Sequence, residues 1–194
     1  PCAVAFACTV DARFETASWL PDWHPATMDE TGHIVKGVDY AASYSARVGA
    51  TLDCGSHELD LALWMLGPAT LAGAATRKAD TLGLDCDGMA EMVLRHDSGV
   101  LSTVHASFME REHKREIIVM GTAGEMCWDW RFKAASLFPY GGKVELIAVP
   151  NDIDAMYRTE MAHFLDCAER GAPTCNPISQ AAETLRILLE AKDG

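Results

Sequence analysis

Between Ala69 and Val149 turn residues divide the chain into seven stretches suited to β-strands, joined by connections too short to hold a parallel crossover. The stretches are Ala69–Lys78, Gly88–Arg95, Val100–Phe108, Lys114–Gly121, Glu125–Trp130, Ala134–Phe138 and Lys143–Val149. In the second, the wholly apolar set Ala90, Met92 and Leu94 alternates with Met89, Glu91, Val93 and Arg95, so the first set should face the core. His96-Asp-Ser-Gly99, Thr122-Ala-Gly124 and Tyr140-Gly-Gly142 mark turns. These signals predict a mainly antiparallel sheet of about seven strands. The opening run from Pro1 to about Thr16 is apolar enough to add one more strand inside it.

Helical spacing brackets this region. Gly49 to Leu66 reads as one helix closed by Gly67-Pro68. Ile153–Arg170 places Met156, Tyr157, Met161, Phe164, Leu165 and Ala168 on a stripe expected in the core, and Gly171-Ala-Pro173 stops it. Ile178–Lys192 is the last helix. The expected fold is α+β: an open-faced, mainly antiparallel sheet with helices on one face. Its other face, bearing Val, Met and Phe, points to a homo-oligomer formed through the open sheet.

With 194 residues and 49% hydrophobic content, residues 1–194 can build one well-buried core, and one domain is expected. Sixteen Lys+Arg against 28 Asp+Glu give a formal charge of −12, which excludes nucleic acid and anionic membrane surfaces as expected partners. A small anionic substrate stays open, because a local arginine overrides the global field at contact distance. The seven cysteines form no C-x-x-C pair and leave an odd one over, which predicts reduced thiols and a cytoplasmic protein. No apolar run reaches the roughly 18 residues of a membrane span. The chain begins at Pro1 and runs directly into a strand, so it is expected to be a piece of a longer polypeptide.

The chemistry concentrates on Asp53, His57 and Asp60. At i, i+4 and i+7 they fall within about 60° of one another on a helix, and such a stripe can hold a proton donor, its orienter and a substrate contact together. The plain alternative is a solvated i,i+4 pair worth a few tenths of a kcal/mol. Asp-x3-His-x2-Asp is also a conceivable metal set, but no second ligand cluster accompanies it and no metal is expected. Cys54 is either a nucleophile or a small buried packing residue. The stretch Ser18 to Arg47 is too long and too rich in aromatics for a plain connection, and suits a lid or binding surface. There Trp19 and Trp23 can stack on a sugar or anchor the loop, while His24, Tyr40, Tyr44 and Arg47 offer hydrogen bonds or hold a carboxylate or phosphate.

Gly49-x3-Asp53-x-Gly55-x-His57-x2-Asp60, followed by Gly67 after an apolar helix, resembles the signature of the Gfo/Idh/MocA oxidoreductases, in their C-terminal, substrate-side domain. Ile118 to Trp128 resembles that family's strand, Gly-Thr-x-Gly turn and strand, and Tyr157-x2-Glu160-Met-x2-Phe164-Leu-x-Cys-x2-Arg170-Gly its late helix. Leu20 to Pro25 is similar to a loop of some sugar-active members, with Met28 to Lys36 as an insertion. The resemblance covers most residues from about 48 to 192.

The resemblance implies transfer of hydride between NAD or NADP and a hydroxyl carbon of a sugar, cyclitol or related compound. Oxidising an alcohol requires a base within reach of its O–H. By resemblance His57 is that base, and the donor in reverse; an imidazole suits because its unperturbed pKa is near neutrality. Asp53 would orient the ring or touch a substrate hydroxyl, and Asp60 would take a catalytic part or make a structural hydrogen bond to the loop. The sequence departs from the family's full pattern, with no G-x-G-x-x-G after a strand and no Glu-Lys-Pro. The N-terminal Rossmann domain is absent from this chain, so no cofactor is expected on it alone and the isolated chain should lack dehydrogenase activity. The rival readings are a stand-alone binding or dimerisation module, and a non-redox glycosidase relative that uses a dinucleotide transiently.

Overall fold

The computed structural model describes residues 3–11, 48–78, 80, 85–110, 114–149 and 152–193. In chain order the elements are β1 (Ala3–Asp11), α1 (Cys54–Leu66), β2 (Ala69–Lys78), β3 (Asp87–His96), β4 (Leu101–Glu110), β5 (Lys114–Gly121), β6 (Gly124–Asp129), β7 (Ala134–Pro139), β8 (Glu145–Ala148), α2 (Ile153–Arg170) and α3 (Ile178–Asp193). A helical turn at 48–52 leads into α1.

The strands form one eight-stranded sheet in the order β2-β3-β4-β1-β5-β6-β7-β8. Every pairing is antiparallel except β1 with β4. The fold is thus α+β with a mainly antiparallel open sheet, and the opening run lies inside it. The uninterrupted meander expected from β4 into β5 does not occur. Instead β1 separates them, with Ala5 paired to Thr103 on one side and to Ile118 on the other. Both neighbours supply backbone partners, which suits an apolar strand better than a sheet edge would.

The helix-facing side of the sheet alternates as the sequence indicates. Ala90, Met92 and Leu94 are buried on β3, and Ser102, Val104 and Ala106 on β4, with Met92 paired to Val104. Leu59, Ala62 and Leu63 of α1 and Ile187, Leu188 and Ala191 of α3 close the core over them. Spacings of three and four put each trio on one helix face. Val93, Leu101 and Met120 are exposed, and on the open face His105 Nδ1–H donates to Glu91 across the β3–β4 pair at 2.6 Å.

Helix α2 corrects one expectation. Met156, Tyr157, Met161, Phe164 and Leu165 are not core but more than half exposed. The helix is well terminated, since Asp152 accepts from Ala155 N–H at 2.9 Å and Gly171 adopts φ 63°. Its apolar stripe has regular spacing, but the described sheet and helices do not cover it. Among the described residues no helix is long and apolar enough to cross a membrane.

Candidate functional site

The entry into α1 is fixed by a buried acid. Asp87 Oδ2 accepts from the Thr51 backbone N–H at 2.7 Å and the Thr51 hydroxyl at 2.6 Å, while Lys192 Nζ lies 3.1 Å from its Oδ1. Lys192 also donates to the Val48 carbonyl at 2.7 Å, so β3, the turn before α1 and the end of α3 meet at one carboxylate. Burial raises the Asp87 carboxyl, but the Thr51 bonds and the Lys192 charge outweigh it and leave its pKa below the ordinary 3.8. A carboxylate held lower in the folded state stabilises fully above its unfolded pKa, and that stability is lost as the pH falls through the folded value. Thermal melts of Asp87→Asn should therefore show a deficit at neutral pH that narrows below about pH 4; a deficit independent of pH would contradict the charge argument.

The other end of α1 is equally constrained. Gly67 takes φ 82°, and its carbonyl accepts from His96 Nδ1–H at 2.8 Å. With Nδ1 as donor, His96 Nε2 accepts from the Ser102 hydroxyl at 2.8 Å. Both nitrogens of this buried ring are thus occupied in tying the helix end to the β3–β4 hairpin.

Between these ends α1 is not one helix from Gly49, as the sequence suggested, but starts at Cys54 after a turn at Asp53. Asp53 N–H still donates to Gly49 O at 3.0 Å, while its side chain makes no capping bond. His57 is exposed, one turn further on. It lines a cleft of about 620 Å³ between α1 and α3, together with Ser56, Asp60, Trp64, Arg115 and Asn176. Asp53 is half-buried and is not among the residues lining that cleft. Cys54 is 3% exposed, packed into the core rather than presented to a ligand.

Asp60 faces the same cleft but is engaged by the fold. Its Oδ2 accepts from Asn176 Nδ2 at 2.9 Å, and its Oδ1 from Gln180 Nε2 and the Thr184 hydroxyl, each at 3.2 Å. The carboxylate therefore clamps α1 to α3. Asp60→Ala removes the acceptor of three donors and should cost about 2 kcal/mol in denaturant unfolding; an unchanged midpoint would show that the clamp carries no stability.

The described histidines divide clearly. His96 and His105 hydrogen-bond to protein through the pairs above, and His163 Nε2 accepts from Cys175 N–H at 3.0 Å. Among the described residues no such bond holds the His57 ring, which leaves both its nitrogens available to a ligand in the cleft.

A model of the GFO/IDH/MocA C-terminal domain matches residues 26–127, more than half of the chain. The chain belongs to the GFO/IDH/MocA family. Solved structures with this fold include UDP-N-acetylglucosamine 3-dehydrogenase from Acidithiobacillus ferrooxidans, with a TM-score of 0.71 at 16% identity, covering 100% of this chain and 52% of that one. An oxidoreductase from Agrobacterium radiobacter, in complex with NAD+, L-tartaric acid and magnesium, gives 0.69 at 15% identity, covering 100% and 55%. A variant of a 3-ketoreductase from Actinomadura kijaniata, in complex with TDP-benzene and NADP, gives 0.69 at 14% identity, covering 100% and 52%. The chain spans about half the length of these structures. No curated protein sequence matches it.

Within this GFO/IDH/MocA domain the Gly-Thr-x-Gly turn has a steric basis. Gly124 has φ 148°, and a Cβ there would lie 2.4 Å from the Phe138 carbonyl oxygen on β7. Trp19, Trp23, His24, Tyr40, Tyr44 and Arg47, and the loop that carries them, lie outside the described residues. One cleft group and its buried partner went unread in the sequence: Arg115 lines the cleft, and Glu58, beneath it and fully buried, approaches it to 2.7 Å. Glu58 adjoins the signature histidine, but its position off the Asp53–His57–Asp60 stripe gave no sign of a partner on β5.

Proposed function

We propose that this chain is the substrate side of an NAD(P)-dependent oxidoreductase acting on a sugar, cyclitol or related hydroxy compound. His57 takes the proton of the reacting hydroxyl in oxidation and returns it in reduction. The reading is carried by the His57 ring: in a chain of this family it stands exposed in a cleft large enough for a monosaccharide, while the other described histidines are bonded to protein. Asp53, one turn earlier, is assigned the orienting role, and Asp60 sets the cleft wall from which Asn176 and Gln180 can meet substrate hydroxyls. Trp19, Trp23, His24, Tyr40, Tyr44 and Arg47 are assigned to the substrate loop.

The described residues do not fit a dinucleotide. None of their strands opens through a glycine-rich turn onto a helix, the arrangement that receives a pyrophosphate. The part of these residues is therefore substrate binding and proton transfer, and the NAD or NADP of the full reaction belongs to an N-terminal Rossmann domain joined to this one. The exposed apolar stripe of α2 and the coverage of about half of each matched structure support that partner. The names of the neighbours, a sugar-nucleotide dehydrogenase and a ketoreductase, support the substrate class. The open sheet face supports a homo-oligomer, and the free thiols of the described cysteines suit a cytoplasmic setting.

The experiment joins the chain to a nucleotide-binding half and follows NAD(P)H formation over a panel of sugars and cyclitols. Turnover by the joined protein and none by the isolated chain is the expected result. Turnover by the chain alone, or none by the joined protein on any substrate, would contradict the reading.

A further inference from the structure

β5 turns Arg115, Ile117 and Val119 toward the helices, with Ile117 in the core and Arg115 at the cleft that His57 lines. Arg115 Nε lies 2.7 Å from Oε1 of Glu58, whose side chain is 0% exposed, while 30% of the arginine side chain remains open. Guanidinium is a planar fork with donors along two edges. The buried carboxylate anchors the Nε end of the group by charge at close range, without an aligned hydrogen bond, while the open part of the side chain reaches the cleft. Asp60, the acid lining the same cleft, has its oxygens engaged by Asn176, Gln180 and Thr184. Among the described lining residues Arg115 is the one permanent cation, in a chain of net charge −12.

We propose that Arg115, anchored by its ion pair with Glu58, receives an oxyanion carried by the substrate, a carboxylate or a phosphate, in the His57 cleft. The inference rests on the substrate binding at His57 and narrows its class from hydroxy compounds in general to anionic ones. A neutral sugar gains little from a fixed guanidinium, whereas an oxyanion forms charge-assisted, two-point hydrogen bonds with it. The field of the whole chain repels such a ligand, so selectivity depends on this one contact.

The test titrates the 194-residue chain with glucose, glucuronate and glucose 6-phosphate, recording Kd and the NMR signals of the His57 ring. Glucuronate or glucose 6-phosphate should bind about 10-fold or more tightly than glucose, and which of the two does so identifies the oxyanion as carboxylate or phosphate. Arg115→Gln alone takes a close cation from a buried acid and is expected to lower stability, so the decisive variant is the double substitution Glu58→Gln with Arg115→Gln, checked by melting temperature. It should abolish the preference, and Arg115→Lys should keep part of it. Equal affinities for the three ligands, no binding of any, or a preference that survives the double variant would overturn the inference. The His57 ring signals separate it from the functional reading. A charge preference without movement of the His57 signals upholds Arg115 and sinks the proton role, while glucose-induced movement without charge preference does the reverse.

Discussion

His57→Gln, made in the protein joined to its nucleotide-binding half, is expected to lower kcat by about 10²–10⁴-fold, the span that a positioned acid–base group contributes. The fold should tolerate the change. The ring is exposed and bonded to no described residue, so stability should move by no more than about 0.5 kcal/mol. KM should change little, because the missing group matters when the proton moves rather than when the sugar docks. His96→Gln is the instructive contrast: it breaks two buried hydrogen bonds at 2.8 Å and should cost stability first. A His57 variant that melts early and retains its turnover would place the residue in the scaffold.

Gly49→Ala carries the second large effect, and it is one of stability. Gly49 has φ 83°, and a Cβ there would lie 2.2 Å from Asp87 Oδ1 and 2.9 Å from the Asp87 carbonyl oxygen. The flexible end of a side chain could swing aside, but this carboxylate is held by Thr51 and Lys192, and the carbonyl belongs to β3. Backbone strain and the broken carboxylate site together should cost about 3 kcal/mol or more, lowering Tm by roughly 10 °C. Gly67→Ala provides the control. Its φ of 82° is nearly the same, but a Cβ there meets nothing within 4 Å, so only the backbone cost of about 1 kcal/mol should appear. Equal losses at the two glycines would show that the contact with Asp87 contributes nothing.

The sequence makes local periods legible and leaves distant partners unwritten. Ala69–Lys78 and Lys114–Gly121 are strands with the bounds read from the sequence, and Ile153–Arg170 is a helix with the bounds read from its spacing and its glycine stop. The position of β1 between β4 and β5 is not local information. Its pairing joins Ala3 to Leu101 and Met120, and no motif records that address. The α2 stripe shows the same limit from the other side. Helical spacing establishes that Met156, Met161 and Phe164 form a face, but not that this domain covers it.

The candidate site follows the same division. The spacing of His57 and Asp60 brings both to one cleft, as one helix face requires. The partners of Asp60 lie 116 to 124 residues further along, so its clamping role emerges only when α3 returns over α1. Glu58 and Asp87 were invisible for a related reason: an acid in a polar sequence context gives no sign of burial until its cation arrives from another element.

The most direct measurement is the pH dependence of kcat/KM for the joined enzyme, compared between the native protein and His57→Gln. The expected result is an ionisation that governs the native rate and disappears in the variant, which keeps only a low, flat residual activity. A variant that follows the native profile at a comparable rate would show that the proton passes through another group.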